Sequence, residues 1–129
     1  MDAVDTNVVV RLVTADDAAQ TRRAKAAFSA EAVFLAKSVL LESEWVLRYS
    51  YGLAPDAIVR AMRALLGLPN LTAEDEDEVL QALVWHEAGM DFADALHLAS
   101  SAPAKRFLTF DAKFAKKARA LGATGVTLA

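Results

Sequence analysis

The chain opens Met1-Asp2-Ala3-Val4-Asp5-Thr6-Asn7-Val8-Val9, and this stretch decides how the rest is read. A very short apolar strand, Ala3 to Asp5, runs into a helix over Thr6 to Val13 that carries Val8, Val9, Leu12 and Val13. Asp5 then stands at the C-terminal end of a strand. In open α/β sheets that edge is where ligands collect.

The alternation continues outward from there. Asp16 to Ala30 reads as an amphipathic helix, Val33 to Ala36 as a second strand, and Ser38 as the cap of a helix reaching Tyr51, with Gly52 ending it. Pro55 opens a further helix that stops near Gly67 and Pro69. Leu71 to Ala73 is a minor strand, and the acidic run Glu74 to Glu78 leads into a helix through Ala88, suited to its dipole. Gly89 terminates that helix, Asp91 caps another through Ser101, and Pro103 ends it. Phe107 to Thr109 is a strand, Asp111 caps a helix to Leu121, and Val126 to Leu128 is the last strand. Short apolar strands between helices predict a parallel sheet covered on both faces.

Length and composition set the bounds. A chain of 129 residues with 55% apolar content is expected to fold as a single domain over residues 1–129. It has no cysteine, which excludes a disulfide framework, a thiolate zinc site and a thiol nucleophile. No basic N-terminal region precedes a long apolar stretch, and no apolar run approaches the roughly 20 residues of a membrane helix, so a soluble cytoplasmic protein is expected. The net charge of −3 is unevenly spread. From Ala104 onward Lys105, Arg106, Lys113, Lys116, Lys117 and Arg119 face Asp111 alone. That basic segment reads either as a solvated helix face or as a surface for phosphates.

Four acids, Asp5, Glu42, Asp94 and Asp111, each sit where an apolar segment meets a helix, and together they suggest a divalent-metal site. Taken singly, Asp5, Asp91 and Asp111 have an ordinary reading as helix caps, and Asp94 falls in a first turn. Glu42 shares a helix face with Val39, Trp45 and Val46, so it is expected to point toward apolar packing, where an unpaired carboxylate is costly. Glu44, four residues before Arg48, reads as half of a plain surface pair. A bound Mg²⁺ or Mn²⁺ supplies the missing partner for clustered acids, and such a site can polarise a phosphoryl oxygen and activate water for attack on a phosphodiester.

The ordered motifs Asp5-Thr6-Asn7-Val8, Val39-Leu40-Leu41-Glu42 with Trp45-Val46-Leu47-Arg48, Asp91-Phe92-Ala93-Asp94-Ala95-Leu96-His97-Leu98-Ala99, and Leu108-Thr109-Phe110-Asp111 resemble those of the PIN domain, specifically VapC-type toxins. The resemblance covers nearly the whole chain. It implies a three-layer α/β/α sandwich with a short, mainly parallel central sheet, and a Mg²⁺- or Mn²⁺-dependent endoribonuclease acting on transfer or ribosomal RNA to inhibit translation. It further implies a VapB-type antitoxin partner, homodimers, larger toxin–antitoxin complexes, and promoter DNA bound only through the antitoxin. By the same match Asp5 and Asp94 are the principal metal ligands, Glu42 and Asp111 complete the acidic pocket, and Thr6, Asn7 and Thr109 brace the carboxylates.

Asp91 reads as a cap, with the metal's outer shell as the alternative, and His97 as a partly buried structural histidine, with a general-acid or ligand role as the alternative. Trp45 and Phe92 read as core or dimer packing rather than as platforms for RNA bases. Two other classes compete: a metal-dependent phosphatase, whose aspartyl-nucleophile form would carry Asp-x-Asp where Thr6 and Asn7 follow Asp5, and a non-catalytic PIN-like binding module, which would lack one or more of the acids.

Overall fold

The computed structural model describes residues 1–129, with twelve elements in the order β1 (Asp2–Ala3), α1 (Thr6–Thr14), α2 (Ala18–Phe28), β2 (Val33–Leu35), α3 (Lys37–Tyr49), α4 (Pro55–Leu66), β3 (Leu71–Ala73), α5 (Glu76–Glu87), α6 (Phe92–Ser100), β4 (Phe107–Thr109), α7 (Ala112–Ala120) and β5 (Val126–Leu128). They form two compact units, Met1–Glu76 and Asp77–Ala129.

The first unit holds a parallel sheet in the order β1-β2-β3, with Asp2 opposite Val33, Ala3 opposite Phe34, and Val33, Phe34 and Leu35 opposite Leu71, Thr72 and Ala73. Parallel neighbours require crossover connections, which α1 with α2, and α3 with α4, provide. Val33 and Leu35 are fully buried while Phe34 between them is not, so β2 alternates as a strand must. Helix α1 buries Val9 and Val10 and packs on α2 and α3; α4 buries Ile58, Val59, Met62, Leu65 and Leu66 and packs on α3 and β3.

The second unit holds the parallel pair β4-β5, with Phe107, Leu108 and Thr109 opposite Val126, Thr127 and Leu128. Helix α7 packs on β5, and the Arg119 guanidinium donates twice to the Val126 carbonyl at 3.1 and 3.2 Å. Gly125, at φ +75°, lies so close to the chain ahead of β4 that a Cβ there would stand 2.7 Å from the Lys105 carbonyl oxygen. Only glycine fits both that conformation and that approach. Between α5 and α6 the His86 ring meets Phe92 edge-on at 5.5 Å, and His86 Nδ1 is 2.7 Å from the Met90 carbonyl oxygen.

The expected α/β alternation and short parallel strands are present, the strands coming as a set of three and a set of two. Ser38 does not cap α3: the helix starts one residue earlier, Ala36 offers no side-chain cap, and the Glu74 carboxylate accepts from the Lys37 backbone N–H at 2.8 Å instead. Asp75, at φ +46°, pairs with the Lys37 ammonium at 2.9 Å. The first two acids of the acidic run therefore serve α3, which lies far back in sequence, rather than the helix that follows them.

Candidate functional site

Unit two gathers the more informative half of the acids. Asp91 is the N-cap of α6, and its Oδ2 accepts from the Asp94 backbone N–H at 3.1 Å. Asp94 occupies the first turn, half-buried. Its carboxylate accepts no hydrogen bond and has no cationic side chain at ion-pair distance. Desolvation raises its pKa above the usual value, the charges of Asp91 and Asp111 raise it further, and His97 partly offsets them. Asp91, Asp111 and His97 thus each lie within electrostatic reach of Asp94.

Asp111 stands two residues past the end of β4 and caps α7, its Oδ1 accepting from the Phe114 N–H at 3.0 Å. Thr109 braces it through the backbone, its hydroxyl oxygen accepting from the Asp111 N–H at 3.0 Å. His97 is exposed, not partly buried: Phe92, Ala95, Leu96, Leu98 and Ala99 form the buried side of α6, and His97 falls on the opposite side, one turn from Asp94. Phe92 is fully buried, as its reading as core requires.

In unit one Asp5 repeats the local device, two residues past β1 and capping α1, its Oδ1 accepting from the Val8 N–H at 3.3 Å. Thr6 is buried and Asn7 exposed, and neither donates to the Asp5 carboxylate, so the bracing expected of them is not found. Glu42 is exposed, contrary to the expected apolar face. The buried stripe of α3 is Leu40, Ser43, Glu44 and Leu47, which turns Glu42, Trp45 and Tyr49 outward.

The buried acid of α3 is instead Glu44, 2% exposed and held by Arg48 through bonds of 2.7 and 3.2 Å. That pair is not the plain surface pair expected. Glu44 holds the Arg48 pKa above its usual value, against desolvation and with help from Tyr49, whose ring lies 4.4 Å from the guanidinium. The three- and four-residue spacing from Leu40 to Leu47 puts Glu44 on the stripe that the structure buries.

The donor set fits a hard divalent cation. Asp94 and Asp111 offer only oxygen, Asp94 has no cation of its own, and Mg²⁺ binds through one or two carboxylates while keeping several waters. The two are the residues that would hold it in this unit. Neither unit groups three or more His, Cys, Asp or Glu side chains into a complete metal cage. Beyond Asp111, Lys113, Lys116 and Lys117 are exposed at helical spacing on α7, and the Lys117 Nζ lies over Gly89, 3.1 Å from where a Cβ would stand.

The chain is similar over 98% of its length, at 24% identity and a TM-score of 0.45, to 98% of the Mycobacterium tuberculosis toxin VapC20, described as cleaving the sarcin–ricin loop. No curated protein matches it. The model of the PIN domain matches residues 3–120, which take in residues of both units and Asp5, Glu42, Asp94 and Asp111 with them, and the chain belongs to the PIN-domain family.

Proposed function

We propose that the chain is a Mg²⁺- or Mn²⁺-dependent endoribonuclease of the VapC type, a single PIN domain over residues 1–129 that hydrolyses RNA phosphodiester bonds. The observation that carries the reading is Asp94: a half-buried carboxylate with no cationic partner, its charge opposed by Asp91 and Asp111, in a chain of the PIN family. When bound, the divalent ion supplies Lewis acidity and neutralises charge at the phosphodiester. Asp94 and Asp111 hold it, and Asp91 keeps Asp94 in place by capping α6. Asp5 and Glu42 enter the reading as further site residues through their motifs. The exposed Lys113 and Lys116 give α7 positive charge for RNA phosphates beside Asp111.

In this reading the partner is a VapB-type antitoxin, the toxin forms homodimers and larger complexes with it in the cytoplasm, and promoter DNA is bound only through the antitoxin. No helix is long and apolar enough to cross a membrane. The test is cleavage of defined transfer and ribosomal RNAs by antitoxin-free protein in Mg²⁺, Mn²⁺ or EDTA, beside Asp94→Asn. Cleavage that needs metal and is lost in the variant supports the nuclease. Intact RNA in the presence of bound metal overturns it in favour of a phosphatase or a binding module.

A further inference from the structure

Phe110 is 90% exposed, the most exposed large apolar side chain in the chain. A single exposed apolar residue needs no explanation by itself. Its position does call for one, because it stands immediately before Asp111 in a segment that is fixed on both sides.

On one side the Thr109 hydroxyl accepts from the Asp111 N–H, and on the other the Asp111 carboxylate caps α7. The backbone on either side of Phe110 is therefore held in place by these two bonds. The local core does not need the ring either: Phe107 and Phe114 pack on each other, centroids 5.8 Å apart, and Phe110 is outside that pair. The result is an aromatic face presented to water from a restrained backbone, one residue from a candidate metal ligand and three from Lys113, the first cation of α7.

That combination matches the way proteins hold single-stranded nucleic acid, with cations on the phosphates and aromatic rings under the bases. The lysines of the same segment favour a polyanion over an apolar protein surface as the occupant. We propose that Phe110 is a base-stacking residue, receiving the base of a single-stranded RNA nucleotide next to the phosphodiester handled at Asp94 and Asp111. This rests on the nuclease reading above. It adds to it a nucleotide-positioning contact supplied by the chain between β4 and α7.

The test compares wild-type protein with Phe110→Ala, Phe110→Leu and Phe110→Trp, using single-stranded RNA 12-mers that carry 2-aminopurine at successive positions. Binding and fluorescence quenching are read in EDTA, KM and kcat in Mg²⁺, and oligomeric state by light scattering. Phe110→Ala and Phe110→Leu are expected to weaken RNA binding by roughly 5- to 150-fold, the range of one lost base–aromatic stack. They should raise KM more than they lower kcat and abolish the quenching at one position, while Phe110→Trp keeps binding and quenching.

Binding by Phe110→Ala equal to wild type, or full binding by Phe110→Leu, overturns stacking while metal-dependent cleavage leaves the nuclease reading standing. A change of oligomeric state in Phe110→Ala with RNA binding intact assigns the ring to a contact between copies and also overturns it. Wild-type protein that neither binds nor cleaves any of the RNAs overturns both readings.

Discussion

The backbone N–H of Asp94 donates to the Asp91 carboxylate at 3.1 Å, so the residue that starts α6 also sets a negative charge beside the acid in its first turn. Helix formation and site electrostatics are therefore coupled through one hydrogen bond. The charge of Asp91 disfavours ionisation of Asp94, adding to the effect of desolvation.

The sign of that coupling gives a pH dependence. Asp94 binds its proton more tightly in the folded chain than in the unfolded one, so between the two pKa values the native state holds more protons and stability falls as pH rises. Without metal, Asp94→Asn should melt higher than wild type at neutral pH, and the gain should vanish below the ordinary carboxylate value. Thermal melts in EDTA across pH 3–8 check this. A variant less stable than wild type at neutral pH would contradict the assigned environment.

Divalent metal should reverse the order. A cation that binds only the folded chain stabilises it by mass action, so Mg²⁺ or Mn²⁺ should raise the wild-type melting temperature and leave Asp94→Asn nearly unmoved. The same variant should lose more than about 100-fold in RNA cleavage, a larger loss than an outer-shell partner typically causes.

Arg48→Ala would leave Glu44 charged and unpaired inside α3. Breaking a buried pair in this way costs about 3 kcal/mol, and denaturant unfolding should read a loss of that order, since Glu44 is 2% exposed. Replacing both residues by apolar ones of similar volume should recover much of it.

Glu74→Ala removes the acceptor at the start of α3 and should cost about 1–2 kcal/mol, the worth of a lost cap, while Glu74→Gln keeps an acceptor and should cost less. Equal losses in the two variants would mean that charge, rather than the hydrogen bond, matters there.

Gly125→Ala should destabilise by roughly 2–4 kcal/mol, combining a left-handed backbone with a forced contact. The Cβ would meet the Lys105 carbonyl oxygen at 2.7 Å, and backbone cannot step aside as a flexible side chain can. Hydrogen exchange should show the loss first as faster exchange at Phe107, whose N–H donates to the Gly125 carbonyl.

Much of the fold was legible because its signals are local. Asp91 and Asp111 cap the helices expected of them, and Val33, Leu71, Phe107 and Val126 open strands where short apolar runs placed them. Ser38 misled because a cap can be supplied from far away in sequence: Glu74 is 37 residues removed from the N–H it satisfies. Glu42 and Glu44 were exchanged in burial for a related reason. A helix of mixed apolar residues offers two possible buried stripes, and Leu40 with Leu47 selects the one containing Glu44 only once neighbours are in place. Of the candidate site, Asp94 and Asp111 stood out through their position at helix starts, whereas the exposed ring of Phe110 gave no pattern in sequence because an isolated aromatic has no periodicity.

Asp5 and Asp111 each commit a single oxygen to a backbone N–H three residues on. Asparagine offers the same acceptor in the same place, so at these two positions a charge can be erased while the helix it starts is left intact. Under the proposed function, loss of chemistry and loss of a helix cap, which alanine would bring together, are separable at each position by the exchange of one oxygen for an amide nitrogen. An inert form of the chain, suited to trapping an uncut RNA or to safe overproduction, should therefore be sought in asparagine and not in alanine.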